Sequence, residues 1–170
     1  NIEDEKFEII FKKVMSILNN IDNTASNYKV NSEVSKFNRL DVNKIHKMSE
    51  DFSRLIFLSD KVYSLTDGYF DVTINNVFSN YKFYGDKNKI TPVNNTFKDL
   101  SFDLKKNIIF KKNKKLTISL SGIAKGYAVD KLSEYLKQEG LENFLINIGG
   151  DLSAYGNTPW LIEIENPVIP

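Results

Sequence analysis

The chain has 170 residues, 41% of them hydrophobic and 12% aromatic, which is enough to build one hydrophobic core. Its 23 basic and 22 acidic residues give a formal net charge of +1, which excludes the strongly basic surface of a nucleic-acid-binding protein. The absence of cysteine excludes disulfide bonds, thiolate metal ligands and a thiol nucleophile. The sequence therefore directs the search for function to a local site rather than to bulk charge.

The N-terminal part of the chain carries the spacing of two amphipathic helices. Apolar residues recur at intervals of three and four over residues 7–21, which predicts a helix with one apolar stripe. Ser49, followed by Glu50 and Asp51, is typical of a helix start with a side-chain cap and an acidic first turn. We expect this second helix to end just before Gly68.

Short apolar runs separated by Lys and Asn follow, and they predict β-hairpins. The runs are LSFDL, IIF and LTISL, at residues 100–104, 108–110 and 116–120. The basic residues between the last two runs are expected to form the solvated tip of a hairpin; they are Lys111, Lys112, Lys114 and Lys115.

The next stretch predicts a strand, a helix and a second strand in succession. Helical spacing begins at Ile123 and runs to a glycine suited to a helix end, Gly140, and the strand-like FLINI follows at residues 144–148. Such a unit within one sheet is nearly always parallel, so LTISL and FLINI should end at the same sheet edge. The small residues that follow them there are Ser121-Gly122 and Gly149-Gly150-Asp151.

Together these elements predict an α+β fold. We expect a mixed or antiparallel sheet with hairpins and one strand-helix-strand crossover, packed by amphipathic helices. The economical interpretation is a single domain over residues 1–170. Because the chain opens on Asn1 and stops at Pro170 soon after a strand-like WLIEIE, we expect this domain to be truncated at both ends.

The start of the helix near Ile123 is a candidate phosphate site. Its unpaired N–H groups and positive dipole end would lie beside two glycine-containing turns, with Lys125 in the first helical turn. The stretch matches neither of the common glycine-rich nucleotide loops. A structural alternative stays open, in which Gly122 and Gly126 only allow close packing and Lys125 points into solvent.

Three other features favour structural roles when judged from local sequence. In TDGYFD, residues 66–71, glycine ends a helix and Asp71 is suited to an Asx turn. Tyr28 lies between polar neighbours and is either a stacking surface or an ordinary surface tyrosine. His46 lies in a Lys-rich segment without Cys or carboxylate neighbours, so we expect a surface residue and not a ligand.

Three stretches, in this order, resemble those of the ApbE-type flavin transferases, the FAD:protein FMN transferases. They are SNYKVNSEVSKFN (26–38), TDGYFD with Thr73 (66–73), and LSGIAKGYAVDKL with NIGGD and PW (120–160). The resemblance covers nearly the whole chain. It implies transfer of FMN from FAD to a Thr or Ser hydroxyl of an acceptor protein, with Mg²⁺ as cofactor and AMP as the leaving group.

The resemblance also implies which residues face FAD: Tyr28, Tyr69, Phe70, Asp71, Ser119 and Lys125. Tyr28 would contact the flavin nucleotide, Lys125 would lie near the phosphates, and the Gly122 carbonyl would be a ligand of Mg²⁺, an ion that prefers oxygen. Gly149 and Gly150 would border the same site. No residue is singled out as a catalytic group.

Two departures from the family pattern affect these expectations. Ser119 stands where family members usually carry Asp, and the family's later metal-binding region is not present in this sequence. We therefore expect the 170-residue chain to be inactive alone. Two alternatives to transfer stay open: an FAD-binding or interaction module without chemistry, and an FAD pyrophosphatase that uses water as acceptor.

The resemblance carries an expectation about location as well. Family members generally work in the periplasm or at the outer face of the cytoplasmic membrane, often as lipoproteins. We therefore expect an extracytoplasmic protein that is lipid-anchored in its full-length form, through an anchor that is not part of this chain.

Overall fold

The computed structural model describes residues 4–74 and 96–164. Its helices are α1 (Asp4–Ala25), α2 (Glu33–Arg39), α3 (Glu50–Leu65) and α4 (Ser121–Gln138), with short 3₁₀ turns at Val72–Ile74 and Phe97–Asp99. Its strands are β1 (His46–Lys47), β2 (Leu100–Asp103), β3 (Ile108–Lys111), β4 (Phe144–Ile148) and β5 (Asp151–Tyr155). None of the helices in these two ranges is long and apolar enough to cross a membrane.

Helix α3 begins and ends as its sequence predicts. The Ser49 side chain accepts a hydrogen bond from the Phe52 N–H, and Glu50 and Asp51 occupy the first turn, where the helix dipole favours negative charge. After the helix ends, the N–H of Gly68 donates to the Tyr63 carbonyl at 2.8 Å, and Gly68 has a φ of +84°, which glycine adopts without strain.

Helix α1 confirms the predicted periodicity, but its apolar stripe is only partly covered. Ile10, Ile17 and Ile21 are buried. In the first turns Phe7 and Phe11 are 51% and 49% exposed, and their rings stack on each other with centroids 6.1 Å apart. The second half of the helix therefore supplies most of its packing against the rest of the fold.

The described strands form two antiparallel sheets. One sheet has the order β1-β3-β2, and the predicted β2–β3 hairpin pairs Leu100 with Lys111 and Asp103 with Ile108. The other sheet contains β4 and β5, which pair antiparallel across the Gly149-Gly150 turn. The α+β class with antiparallel hairpins and amphipathic helices is confirmed.

The predicted strand LTISL and its parallel pairing are wrong. Leu116, Ile118 and Leu120 are fully buried, so the alternation of the segment does mark one buried face. The segment nevertheless belongs to neither sheet, because Ile118 bonds to the side chain of Asn38 instead of to a strand. Helix α4 still connects this segment to β4, but β4 pairs with β5, so no parallel crossover is formed within the described ranges.

Two predictions about polar surface residues are also wrong. Lys111 is 2% exposed, and its Nζ donates to the Asn38 carbonyl at 2.8 Å and to the Leu116 carbonyl at 3.2 Å. His46 is half-buried in β1, where its Nε2 lies 3.0 Å from Glu33 Oε1. Asn38 and Glu33 belong to α2, 73 residues from Lys111 and 13 residues from His46, and local composition does not reveal these contacts. The three other lysines of the hairpin tip are exposed, as predicted: Lys112, Lys114 and Lys115.

The core consists of two clusters that meet at α4. The larger cluster is built around α2, α3 and the buried segment 116–120, and Phe37 and Phe52 lie at its centre without solvent exposure. The smaller cluster packs α1 against α4 and β4, with Ile17 and Val129 among its members. Tyr127 of α4 packs against both clusters. Helix α4 is therefore held from two sides, which fixes the position of its N-terminal end.

Candidate functional site

The start of α4 is the point at which the matching stretches of the sequence meet. The Ser119 N–H donates to the Val72 carbonyl at 2.7 Å, which joins the buried segment to the 69–72 turn. The Asn27 Nδ2 donates to the Ile118 carbonyl at 3.0 Å, which brings the loop of Tyr28 to the same segment. Residues far apart in the chain are thus collected around residues 118–122.

Lys125 connects the start of α4 to the turn between β4 and β5. Its Nζ donates to the Gly149 carbonyl at 3.2 Å and lies 3.4 Å from Asp151 Oδ1. These two oxygens offset the unfavourable position of a cation at a helix N-terminus. The turns after residues 120 and 148 are therefore adjacent, although the parallel strands expected to bring them together are not formed. The Lys125 side chain is 51% exposed and accessible to a ligand.

The two predicted tyrosines present their rings to solvent. Tyr28 is 91% exposed and Tyr69 is 97% exposed. An exposed aromatic face is suited to stacking on a heteroaromatic ring. Phe70 differs from them, because its partly buried ring packs against the larger core cluster. A Cβ added to Gly122 would lie 3.2 Å from Phe70 Cε2, so these two residues are in close contact.

Asp71 forms the predicted Asx turn. Its Oδ1 accepts hydrogen bonds from the N–H and the hydroxyl of Thr73 at 2.8 and 2.7 Å. Its Oδ2 accepts from the Phe97 N–H at 3.1 Å. Both carboxylate oxygens therefore have protein partners, and the carboxylate orders the turn that carries Tyr69 and Phe70. Its predicted contact with FAD stays a prediction.

Ser119 and Gly122 lie at the point where the buried segment becomes helix. The Ser119 hydroxyl donates to the Ser121 hydroxyl at 3.2 Å, and the Ser121 N–H donates to Ser119 Oγ at 3.5 Å. Because α4 begins at Ser121, the Gly122 carbonyl lies in the first helical turn and is directed along the helix axis. A carbonyl oxygen has two lone pairs, so a helical hydrogen bond leaves one of them for another partner.

The part of the chain that the structure describes does not by itself fit a Mg²⁺ ion. It contains no group of three or more His, Asp or Glu side chains placed to hold a metal. The predicted Gly122 carbonyl would be a single ligand, whereas Mg²⁺ takes six oxygens, usually from carboxylates, phosphates and water. The role of Gly122 in metal binding therefore stays a prediction.

None of the FAD-facing residues predicted from sequence lines either of two grooves on the part of the surface that the structure describes. One groove of about 760 Å³ runs between α3 and α4 and is lined by Arg54, Phe57 and Lys131, among others. A second, of about 880 Å³, lies between α1, α2 and the start of α3. We favour the region around Lys125 over these two grooves, because the matching stretches meet there beside an accessible cation and the start of α4. The candidate site is an open surface.

Sequence reasoning missed the residues that hold this surface in place. Asn27 and Asn38 lie within the first matching stretch, yet nothing local indicates that their amides bind the backbone of Ile118. Glu33 accepts hydrogen bonds from His46, from the Ser49 N–H and from the Ser49 hydroxyl. Burial raises the pKa of the Glu33 carboxyl, but the hydrogen bonds from His46 and Ser49 outweigh it, so the pKa is lowered.

Tyr127 fastens the helix of the site to its neighbour. Its hydroxyl donates to Asp51 Oδ1 at 2.7 Å, and the same oxygen forms an ion pair with Lys131. Burial, followed by the hydrogen bond to Asp51, raises the pKa of Tyr127 far above its ordinary value. The phenol therefore stays protonated at neutral pH and serves as an anchor between α3 and α4.

Comparisons with known proteins point to one family. The model of the ApbE family matches residues 2–169. An FAD:protein FMN transferase of Haemophilus influenzae is 30% identical over 173 residues, which cover 92% of this chain and 50% of that protein. The enzyme of the same name from Buchnera aphidicola is 35% identical over 153 residues, covering 83% of this chain and 43% of the relative.

Solved structures give the same result. The flavin transferase ApbE from Vibrio cholerae matches with a TM-score of 0.82 and 25% identity, over 94% of this chain and 56% of that one. The apo flavinyl transferase ApbE of Pseudomonas stutzeri matches with a TM-score of 0.81 and 28% identity, over 95% of this chain and 56% of that one. The chain spans about half the length of the curated relatives it matches. On these matches and the convergence of the three stretches, the chain belongs to the ApbE family.

Proposed function

We propose that the protein containing this chain is an FAD:protein FMN transferase and that the start of α4 is part of its FAD site. The observation that carries the proposal is that the loop of Tyr28 and the turn of Tyr69 are bonded to residues 118–119 through Asn27 and Val72, directly before the helix that carries Lys125. Relatives named FAD:protein FMN transferase over most of this chain support the same activity.

In the proposed complex the residues of this chain bind and orient FAD. Lys125 turns from Asp151 toward the pyrophosphate, where a phosphate oxygen is a stronger partner than a backbone carbonyl. The N–H groups at the start of α4 face the same anion. The exposed rings of Tyr28 and Tyr69 pack on the flavin nucleotide, as aromatic surfaces next to a charged site commonly do.

The reaction replaces a phosphoanhydride bond of FAD by a phosphoester bond to the acceptor. The hydroxyl oxygen of a Thr or Ser on the acceptor protein attacks the FMN phosphorus, and the bond from that phosphorus to the bridging oxygen breaks. AMP leaves with the bridging oxygen, and the hydroxyl proton is released. Such transfers depend mainly on positioning and charge stabilisation, the roles assigned to Lys125 and the helix N-terminus.

Magnesium and location are further parts of the proposal. The requirement for Mg²⁺ rests on the family resemblance and on the chemistry of a pyrophosphate, whose charge a hard cation neutralises. The described residues contain no group of three or more His, Asp or Glu side chains that could hold the ion. We also propose an extracytoplasmic location with a lipid anchor on the full-length protein; protease accessibility of the protein in intact cells tests it.

The FAD pyrophosphatase and the non-catalytic module are not favoured by the relatives, whose names specify transfer to protein. Ser119 remains the residue on which the non-catalytic alternative depends, because it replaces a carboxylate with a neutral hydroxyl. Its hydroxyl bonds to Ser121 and its N–H to Val72, so the replacement leaves an ordered backbone at this position.

Intact mass measurement of an acceptor protein tests the proposal. The full-length protein is mixed with FAD, Mg²⁺ and a Thr-bearing acceptor, with an EDTA-treated sample and a Thr→Ala acceptor as controls. The proposal predicts a gain of one FMN on the acceptor, release of AMP, and no gain in either control. Release of free FMN without acceptor modification would support the pyrophosphatase, and an unchanged FAD pool would contradict both enzymatic functions.

A further inference from the structure

We propose that Asn38, supported by Asn27 and Lys111, is a positioning residue. Its side chain pairs with the backbone of the buried segment as a neighbouring β-strand would, and this pairing fixes the position of residues 118–122 in the FAD site. The expected effect on the kinetics of FMN transfer rests on the proposed function. Its structural basis is the set of hydrogen bonds that these three side chains make to the buried segment 116–120.

The Asn38 amide reproduces the pairing that a strand offers. Its Oδ1 accepts from the Ile118 N–H at 2.8 Å, and its Nδ2 donates to the Ile118 carbonyl at 2.9 Å. A residue in a β-ladder receives the same combination of one acceptor and one donor from its neighbour. Because Ile118 is fully buried, leaving these backbone groups without partners would lower the free energy of unfolding.

Asn27 and Lys111 complete this arrangement from two other elements. Asn27 Nδ2 also donates to the Ile118 carbonyl, so that one oxygen receives two amide donors. The buried Lys111 Nζ donates to the backbone carbonyl of Asn38 and to that of Leu116. Lys111 therefore ties the end of α2 to the first residue of the segment, while Asn38 ties the same helix to its middle.

The segment transmits this placement directly to the candidate site. Ser119 follows Ile118 and holds the 69–72 turn through the Val72 carbonyl. Gly122 lies against Phe70, and the helix that begins at Ser121 carries Lys125. Asn27, which also bonds to the Ile118 carbonyl, precedes Tyr28 in the chain. The position of Ile118 therefore affects the loop of Tyr28 as well as the start of α4.

The substitution Asn38→Asp tests this role, because its effect depends on protonation. An ionised Asp places a carboxylate oxygen opposite the Ile118 carbonyl and has no hydrogen-bond donor for it. A protonated Asp again offers one donor and one acceptor to the Ile118 backbone. The charged groups near position 38 include its chain neighbour Arg39, Lys111 on β3, whose Nζ bonds to the Asn38 carbonyl, and Asp41, whose charge acts on Lys111. Asn38→Leu removes the hydrogen bonds at every pH, and Asn20→Asp repeats the charge change at an exposed site on α1.

In the full-length protein we expect Asn38→Asp to lower kcat for FMN transfer roughly 10- to 100-fold at about pH 8, with a smaller change in KM for FAD. The ratio of the variant's kcat to the wild-type kcat should rise again as the pH is lowered toward the pKa of the introduced carboxyl. Asn38→Leu should show a similar loss without recovery, and Asn20→Asp should match wild type throughout. Kinetic constants are normalised to the folded fraction measured by circular dichroism.

Amide hydrogen exchange separates this proposal from the proposed function. Asn38→Leu should speed exchange of the Ile118 amide by roughly 10-fold or more, while exchange in the β4–β5 sheet stays unchanged. If the wild-type protein transfers no FMN, the proposed function fails and exchange together with FAD affinity still tests the positioning role. Wild-type kcat in both Asn38 variants, or a loss that only follows the unfolded fraction, would overturn the role of Asn38.

Discussion

The corner between α2 and α3 and the open end of α4 are built in opposite ways. In the α2–α3 corner, defined by Glu33, His46 and Ser49, the side chains bond to one another, and those of Glu33 and His46 are only 16% and 17% exposed. At the open end of α4, Tyr28 and Tyr69 are almost fully exposed. Residues suited to touch a ligand therefore contribute little to the fold, whereas side chains that bond to one another between α2 and α3 stabilise it.

The largest expected effect is on the buried side of this comparison. Phe37 of α2 has no solvent exposure and lies 6.1 Å from the Phe52 ring, so Phe37→Ala should lower the free energy of unfolding by about 3–5 kcal/mol. Denaturant unfolding measures the loss. Tyr69→Ala is the matched aromatic truncation on the exposed side, and it should change the same quantity by no more than about 0.5 kcal/mol. Equal losses in the two variants would contradict the comparison.

Removing the accessible cation should affect activity rather than stability. Lys125→Met takes away a charged donor from the proposed phosphate site, so kcat/KM for FMN transfer should fall roughly 10- to 100-fold, or about 1.5–3 kcal/mol. The melting temperature should stay close to wild type because the side chain is half exposed. Lys114→Met, at an exposed position of the hairpin tip, is the control and should keep full activity. Wild-type kinetics in Lys125→Met would remove Lys125 from the site.

The α2–α3 corner should make stability depend on acid. Glu33→Gln weakens charge-assisted bonds to His46 and Ser49, and should cost about 1–2 kcal/mol near neutral pH. The pKa of Glu33 is lowered in the folded protein, so its stabilisation is present above the ordinary value of 4.5 and is lost as the pH falls through the folded pKa. Denaturant unfolding from neutral to acidic pH should therefore show the wild-type and variant curves converging in acid.

The matched control for that series is Glu8→Gln, which changes an exposed carboxyl of α1 in the same way. Its unfolding free energy should stay within about 0.5 kcal/mol of wild type. A pH-independent difference between wild type and Glu33→Gln would contradict the assignment of this stabilisation to the ionised carboxylate.

The smallest expected effect is that of a single exposed ring. Tyr28→Ala should weaken FAD binding about 3- to 10-fold, because one aromatic contact contributes about 0.5–1.5 kcal/mol beyond the area it buries. Tyr28→Phe keeps the ring and should keep most of the affinity. Quenching of flavin fluorescence on titration measures both variants. An affinity unchanged in Tyr28→Ala would show that the ring does not stack on the flavin nucleotide.

The elements that follow local rules were predictable from the sequence. Ser49 and Gly68 mark the two ends of α3 because capping is a local interaction. The β2–β3 hairpin and the Asx turn of Asp71 also follow from neighbouring residues. The three matching stretches were recognisable because they combine residue types at fixed spacing.

The features that depend on distant partners were not predictable. The alternation of LTISL identifies a buried face but does not say what satisfies the backbone at its edges, and Asn38 is 80 residues from Ile118. Lys111 can be buried because the backbone carbonyls of Asn38 and Leu116 accept hydrogen bonds from its Nζ, and composition alone cannot indicate these partners. His46 in β1 contacts Glu33 in α2, 13 residues earlier in the chain.

The most direct test of the central claim is a crystal structure of the full-length protein with FAD bound. We expect the pyrophosphate to lie within hydrogen-bonding distance of Lys125 Nζ and the first N–H groups of α4, with Lys125 no longer bonded to Asp151. FAD bound in the groove between α3 and α4, with the contacts of Lys125 to Gly149 and Asp151 intact, would contradict it.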